Sequence, residues 1–447
     1  MYKTIGVVCL LFIGPVFLFI SRKHEPAADK AHPPLPAIYH PQQDQPEAPV
    51  CGEGAYLAGP AENGEPGGTP QDAEKAMSTS TAYAWSLFTF LNRQAELGAR
   101  NAGKADLSVP PWTKGKDDAD VVWESWALVN GGHLGEVFRI NGADPGPWGS
   151  WKRPLDTSTK KVLTRSATLR TPSGAHAEMN PGINDGDRQE VRMNQAAYET
   201  IRPPYGRGLY SGSLLRAAIK SASGKNCFVD FPRAAKEIKA AWLHLPECEN
   251  PSQEPACTRR KNTYHWRTTR DGKIIRYWGL AALHIVTKDL SNWFWADFIH
   301  RDCEIDPKNC RMQPGFSPQA DSKLRAPNSS KQSGDVPWDY YHLRGTETGF
   351  IQDGQKATLF NPFIEGPDAK QSSCITCHAY ASLPIDSSQP LNQAVGQLQK
   401  QARNDSGPPH LNRFHEAYGA SSSAADIDDP LTFSQADFVW SVVAHAK

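Results

Sequence analysis

Between residues 78 and 91 the chain reads STSTAYAWSLFTFL, and Ala82, Trp85, Phe88 and Leu91 recur every third residue. That spacing gathers apolar side chains on one face and predicts an amphipathic helix, capped by Ser78 or Thr79. A second helix is predicted over Val121, Val122, Trp123 and Trp126, ended by the paired glycines of VNGGHLGEVF. From about residue 200 the period changes. EIKAAWLHL is bounded by Pro246, and NTYHWRTTRDGKIIRYWGLAALHIVTK holds a strand, a D-G turn and a longer strand. NWFWADFIH, dense in aromatics, follows. These segments predict antiparallel strands, several apolar on both faces, so the sheet needs a cover of helices or of a second sheet.

The polar stretches divide the chain. Residues 21 to 50 are rich in Pro and polar residues without a helical or strand period and read as a tether. GPAENGEPGGTPQDAEK reads as a second soft stretch, and residues 313 to 336 as a loop. No fixed-period repeat is present, which argues against a solenoid or propeller. Near the end, LTFSQADFVWSVVAHAK predicts a closing helix that uses Phe433, Phe438, Val439, Val442 and Val443.

The N-terminus has a basic start at Lys3 and an uncharged apolar run from residue 5 to residue 20, the pattern of an export signal or signal anchor. No small-x-small cleavage site follows closely, and Arg22 and Lys23 flank the run, which favours a retained membrane tether. The expected location is periplasmic, with anchoring to the inner membrane through this segment. The expected organisation is a signal peptide or anchor over 1–22, a Pro-rich tether and loop over 23–75, an α+β region over 76–345 with its β-rich middle at about 200–302, and a separate C-terminal segment over 346–447.

At 447 residues the chain can bury a large core. Lys+Arg 48 balances Asp+Glu 48, so no global field points to nucleic acid or to an acidic surface. Cysteine use carries more. Cys9 falls in the apolar run and reads as a buried apolar residue. Cys51, Cys227, Cys248, Cys257, Cys303 and Cys310 form an even set suited to an oxidising compartment. Short separations favour Cys248 with Cys257 and Cys303 with Cys310, leaving Cys51 for Cys227.

Cys374 and Cys377 stand apart in SSCITCHAY, three residues from one another, with His378 immediately after. Thiols at that spacing lie on one side of a helical turn and the following imidazole can turn toward a flat ligand between them. This is the pattern of covalent haem attachment, with thioethers at Cys374 and Cys377 and His378 as an axial iron ligand. The competing reading, a redox dithiol, calls for a thioredoxin-like alternation of strands and helices that the tail lacks. A three-histidine metal site from His244, His284 and His300 is weaker, because a histidine inside a run such as LAALHIVT is more commonly a hydrogen-bonded core residue.

With CITCH, the export signal and the terminal aromatic segment in hand, the chain resembles bacterial c-type cytochromes. AWSLFTFLN, EIKAAW, GLAALHIVTK, WFWADFIH, LRGTETGF and TLFNPFIE are similar to a long-chain, single-box branch of the cytochrome c family. The segments together predict an α+β chain whose β-rich middle with flanking helices is followed by a small, mainly α cytochrome c-like haem domain. The resemblance carries across the haem-attachment roles of Cys374, Cys377 and His378 but no defined reaction; the leading reading of the whole chain is one covalent haem c, single-electron transfer and a redox partner protein. Small cytochromes c usually take a second axial ligand from a downstream methionine, and here no methionine follows Met312. The second ligand is left among His410, His415, His342, Met312 or none. A five-coordinate peroxidase-like enzyme or sensor, or a ligand-binding module with a structural haem, are the alternative functions.

Overall fold

One strand organises the middle of the chain. In a computed structural model, β6 runs 14 residues and offers two separate half-edges to two different neighbours. The structure describes residues 51, 65–96, 102–111, 120–129, 136–139, 142–150, 162–163, 188–202, 208–222, 227–271, 274–305, 336–361, 363–365, 372–385, 390–403, 405–410, 413–414, 418 and 433–444. All of them fall within one compact unit, Gln43–Lys447. In chain order the elements are α1 (Pro70–Ser78), α2 (Ser80–Leu91), β1 (Ala127–Leu128), β2 (Val162–Leu163), β3 (Arg188–Met193), α3 (Gln195–Ile201), α4 (Gly212–Ser221), β4 (Lys236–His244), α5 (Glu254–Thr263), β5 (Trp266–Asp271), β6 (Ile274–Thr287), β7 (Phe294–His300), α6 (Arg301–Ile305), β8 (Tyr341–Glu347), β9 (Ile351–Gln352), β10 (Gln355–Lys356), α7 (Cys374–Ala379), β11 (Ser382–Pro384), α8 (Leu391–Ala402) and β12 (Phe433–Gln435). The class is α+β.

β4 covers one edge of β6 antiparallel, from Lys236 opposite Thr287 to His244 opposite Trp278. On the other edge β5 pairs the first half of β6 and β7 pairs the second half, so the sheet forks. Gly279 sits beside the fork because a Cβ there would lie 2.6 Å from Cδ1 of the buried Tyr264 ring. β3 and β1 extend the β4 side, β2 runs parallel to β5, and β8 closes the β7 branch.

Alternation sends two sets of side chains to opposite faces. Ile238, Ala240, Leu283, Ile285, Phe294, Phe298 and Leu343 face α2, whose Tyr83, Leu87, Phe88 and Leu91 complete an aromatic-rich core. The Phe88 and Phe298 rings lie 4.4 Å apart between centroids. The opposite face carries Val286 and Trp295 in a second core with Cys374, Ile375, Ala379 and Phe438. Farther along the same face Ala241, Ala282 and Ile299 pack with Phe363 and Ile364. The sheet is therefore buried on both sides, as its strands with apolar residues on both faces require.

Three elements differ from the sequence expectation. α1 occupies part of the expected loop: Thr69 caps it by accepting from the Asp72 amide, and Pro70 takes the first helical position, where its missing N–H costs nothing. Trp123 lies in a single 3-10 turn, Trp123–Ser125, rather than a helix. The chain then extends into β1, while the Arg192 guanidinium takes the Glu124 and Trp126 carbonyls. The closing segment is strand β12 followed by one helical turn, Trp440–Val443. Asp437 and Phe438, with φ of 48° and 66°, separate the two.

The structure contains Cys51–Cys227 and Cys248–Cys257 disulfides. Cys303 is disulfide-bonded, and Cys310 lies outside the described residues. Cys9, the apolar run at 5–20 and the tether through residue 50 also lie outside them. Among the described residues no helix is long and apolar enough to cross a membrane.

Candidate functional site

α7 is one and a half turns long, too short to stand alone, and its ends are held by groups from elsewhere in the chain. At its start Ser373 accepts from the Thr376 amide at 3.2 Å, and the Glu347 carboxyl at the end of β8 accepts from the Ile375 amide at 2.8 Å. Thr376 Oγ1 donates to the Gly407 carbonyl at 2.6 Å. At its end the Trp440 indole donates to the Cys377 carbonyl at 3.0 Å, and Gln435 Nε2 donates to the Ala379 carbonyl at 3.2 Å. Gln435 belongs to β12, which pairs with β11 directly after the helix. The turn is thereby locked from β8, β12 and the C-terminal helical turn.

This frame sets three side chains. Cys374 is buried, with its Sγ 3.2 Å from the Leu359 carbonyl, and Cys377 is half-buried. Both remain free thiols, whereas the other described cysteines are disulfide-bonded. Burial pushes the Cys374 thiol well above its ordinary range, and burial reinforced by Glu365 pushes Cys377 up to about 12. His378 Nδ1 lies 2.8 Å from the Phe438 carbonyl, which fixes Nδ1 as the protonated nitrogen and leaves Nε2 with a lone pair. Its ring packs on Trp295 of β7 at 4.4 Å between centroids. Burial, with Lys239 and His284 nearby, brings His378 down to about 3, so the ring is neutral across the physiological range.

The Phe438 carbonyl is itself held in place. Asp437 forms a fully buried ion pair with Lys288, accepts from the Phe231 amide at 2.7 Å, and lies 3.4 Å from the Trp293 indole nitrogen. Burial still raises its carboxyl to about 6 despite Lys288. Two successive residues in the left-handed region are costly for side chains with a Cβ, and these contacts hold them there.

Below α7 the sheet carries a belt of ionisable groups between its two apolar clusters. Lys239, His284 and Asp297 are neighbours in register across β4, β6 and β7, and Arg344 protrudes at the β7/β8 irregularity to reach Asp297 at 3.2 Å. His284 Nε2 lies 3.0 Å from Asp297 and Nδ1 lies 3.7 Å from Glu365. Burial lowers the His284 pKa, but the Glu365 and Asp297 carboxylates outweigh it and the net direction is upward. Asn361 donates to Asp297 at 2.8 Å. The Glu347 carboxyl, 1% exposed, is pushed up to about 8 by burial. Side-chain atoms of His284, Asp297, Glu347 and Ser372 in this region have no hydrogen-bond partner.

The remaining sequence candidates are dispersed. His244 pairs with Glu249 at 2.5 Å, and His300 donates from Nε2 to the Thr263 carbonyl and accepts at Nδ1 from the Asp302 amide, so neither joins His284. Among the described residues no group of three or more His, Cys, Asp or Glu is arranged to hold a metal ion. The His410 side chain is exposed, and its amide donates to the Tyr380 hydroxyl at 2.9 Å. His342 is half-buried on β8. His415 and Met312 lie outside the described residues. Alternation alone does not single these residues out; the belt emerges when β4, β6, β7 and β8 are aligned. The chain matches no protein-family model, no curated protein and no solved structure.

Proposed function

We propose that the chain is a monohaem c-type cytochrome that moves single electrons, with thioether bonds at Cys374 and Cys377 and His378 Nε2 as one axial ligand. The observation that carries this reading is the hydrogen bond from His378 Nδ1 to the Phe438 carbonyl. It leaves a neutral imidazole with its Nε2 lone pair available beside two thiols that take no part in disulfides. A buried, oriented N–H donor of this kind also raises the basicity of the opposite ring nitrogen. The donor set fits haem c: two soft sulfurs on one helical face and one imidazole.

When bound, the haem supplies a one-electron ferric/ferrous couple. The residues around it do the rest. The Phe438 carbonyl holds the imidazole tautomer, Trp295 limits rotation of the ring, and the apolar packing of Ile375, Ala379 and Phe438 excludes water. Segment 346–447 is the haem-carrying part in this reading, and its described residues Cys374, Ile375, Ala379 and Phe438 share a core with Val286 and Trp295 of the sheet. The disulfide framework is consistent with an oxidising compartment, which supports a periplasmic location with residues 5–20 as signal or anchor, and a redox protein as partner.

The test is maturation of the full chain in a periplasm equipped for c-type cytochrome assembly, followed by a pyridine haemochrome assay and mass analysis of the peptide containing residues 374–378. One thioether-linked haem per chain is expected. Absence of haem, or haem removable by acid acetone, overturns the proposal.

A further inference from the structure

Downstream residues are the conventional place to seek a second iron ligand in a small cytochrome. In this chain the geometry points to the sheet. We propose that His284, on β6, is the second axial ligand of the iron held by His378; this rests on the haem reading above.

Three observations carry it. First, position: His284 pairs with Asp297 and Val286 pairs with Trp295, so His284 and Trp295 are diagonal neighbours on one face of the sheet. Such positions lie roughly 7–8 Å apart. The Trp295 ring is the surface on which His378 rests. Second, availability: His284 is 5% exposed, yet its Nε2, 3.0 Å from the Asp297 carboxylate, makes no hydrogen bond. An imidazole that deep without a satisfied nitrogen is costly to keep. Iron ligation would satisfy one ring nitrogen while the other donates to a carboxylate, the usual arrangement behind a metal-bound histidine. Asp297 and Glu365 both stand ready for that role.

Third, the other described histidines are committed or remote. His244 pairs with Glu249, His265 with Glu124 in the opposite core, and His300 with Thr263. The His410 side chain is exposed. His342 lies opposite Ile299, two side-chain rows beyond the Trp295 row, whereas His284 lies one row away.

The experiment uses the full matured chain and reads the ferric haem by electron paramagnetic resonance and near-infrared magnetic circular dichroism. The expected wild-type spectrum is low-spin with two imidazole ligands. His284→Ala should become high-spin while retaining covalent haem by pyridine haemochrome, and added free imidazole should restore the low-spin signal. His410→Ala with His415→Ala should leave the wild-type spectrum unchanged. A low-spin His284→Ala protein, a high-spin wild-type protein, or a charge-transfer band diagnostic of thioether or amine ligation overturns the proposal while leaving haem attachment standing. Should His284→Ala fail to mature, the wild-type band and the downstream double variant decide: two imidazoles that survive loss of His410 and His415 support His284, and loss of the second imidazole in that double variant overturns it. A chain without covalent haem instead overturns the function on which the inference rests.

Discussion

His378 and Phe438 are 60 residues apart in sequence and joined by a 2.8 Å contact between the imidazole Nδ1 and the main-chain carbonyl. Phe438 can present that carbonyl because its backbone, like that of Asp437, adopts a left-handed conformation uncommon for residues with a side chain. The strain is offset by Asp437, whose carboxylate is fastened to Lys288 and to the Phe231 amide.

Breaking that fastening should be costly. Asp437→Ala leaves Lys288 buried without its anion, and the expected loss is about 3–5 kcal/mol of unfolding free energy. Denaturant titration measures it. Lys288→Met, which removes the charge but keeps the length, combined with Asp437→Asn should recover part of the loss. If both single and double variants unfold at the wild-type midpoint, the ion pair does not hold this turn.

Glu237, on β4 beside the C-terminal helical turn, gives a pH test. Burial pushes its carboxyl up to about 7, partly opposed by a hydrogen bond from Ser441 at 2.6 Å. The folded state therefore holds a proton that the unfolded chain releases near its ordinary value of 4.5. Between these values the native state binds more protons, so this group lowers stability as pH rises from about 4.5 to about 7, with no further change above. Glu237→Gln should remove that decline and gain on the order of 3 kcal/mol at pH 8 relative to wild type. Thermal melts of both proteins from pH 4 to pH 8 should diverge as pH rises; parallel curves would contradict the burial argument.

The two disulfides described in full close loops of very different length, with sequence separations of 176 and 9. Chain-entropy reasoning assigns about 5 kcal/mol to the longer and under about 3 kcal/mol to the shorter. Cys51→Ser with Cys227→Ser should thus lower the unfolding midpoint more than Cys248→Ser with Cys257→Ser. The reverse order would show that strain or residual unfolded structure dominates.

Gly279→Ala should be poorly tolerated. The new methyl would meet Tyr264 at 2.6 Å, and that ring is fully buried and stacked 3.6 Å from His300. A loss of about 1–3 kcal/mol is expected, and Tyr264→Leu in the same chain should relieve part of it. A neutral Gly279→Ala would mean that the fork can open without penalty.

Much of the sheet is legible from one dimension. The D-G turn marks the β5/β6 hairpin, and EIKAAWLHL and NWFWADFIH lie in β4 and β7 because β-branched and aromatic residues bounded by turn signals leave little alternative. The two free thiols with His378 are legible too, since their spacing is local. Long-range partners decide the rest. Phe433–Gln435 has apolar neighbours suited to a helix, yet its backbone is taken by β11 and by Phe228. Pro70 reads as part of a loop until Thr69 is seen to cap the turn behind it. Lys239, His284 and Asp297 each sit between apolar neighbours in their own strand, and only strand pairing assembles them.

The position of Cys374 imposes an order of events. Without haem its sulfur is buried and lies 3.2 Å from the Leu359 carbonyl. Haem would have to be delivered while this part of the chain is still open, so the proposed cofactor is a participant in folding and not a late addition. The linear arrangement helps. Every cysteine described in a disulfide, from Cys51 to Cys303, precedes Cys374. If the chain is exported as proposed, those sulfurs emerge and can oxidise first. On that reading the pair that would take haem arrives last, when few competing thiols remain, and the order of emergence would itself sort the two fates.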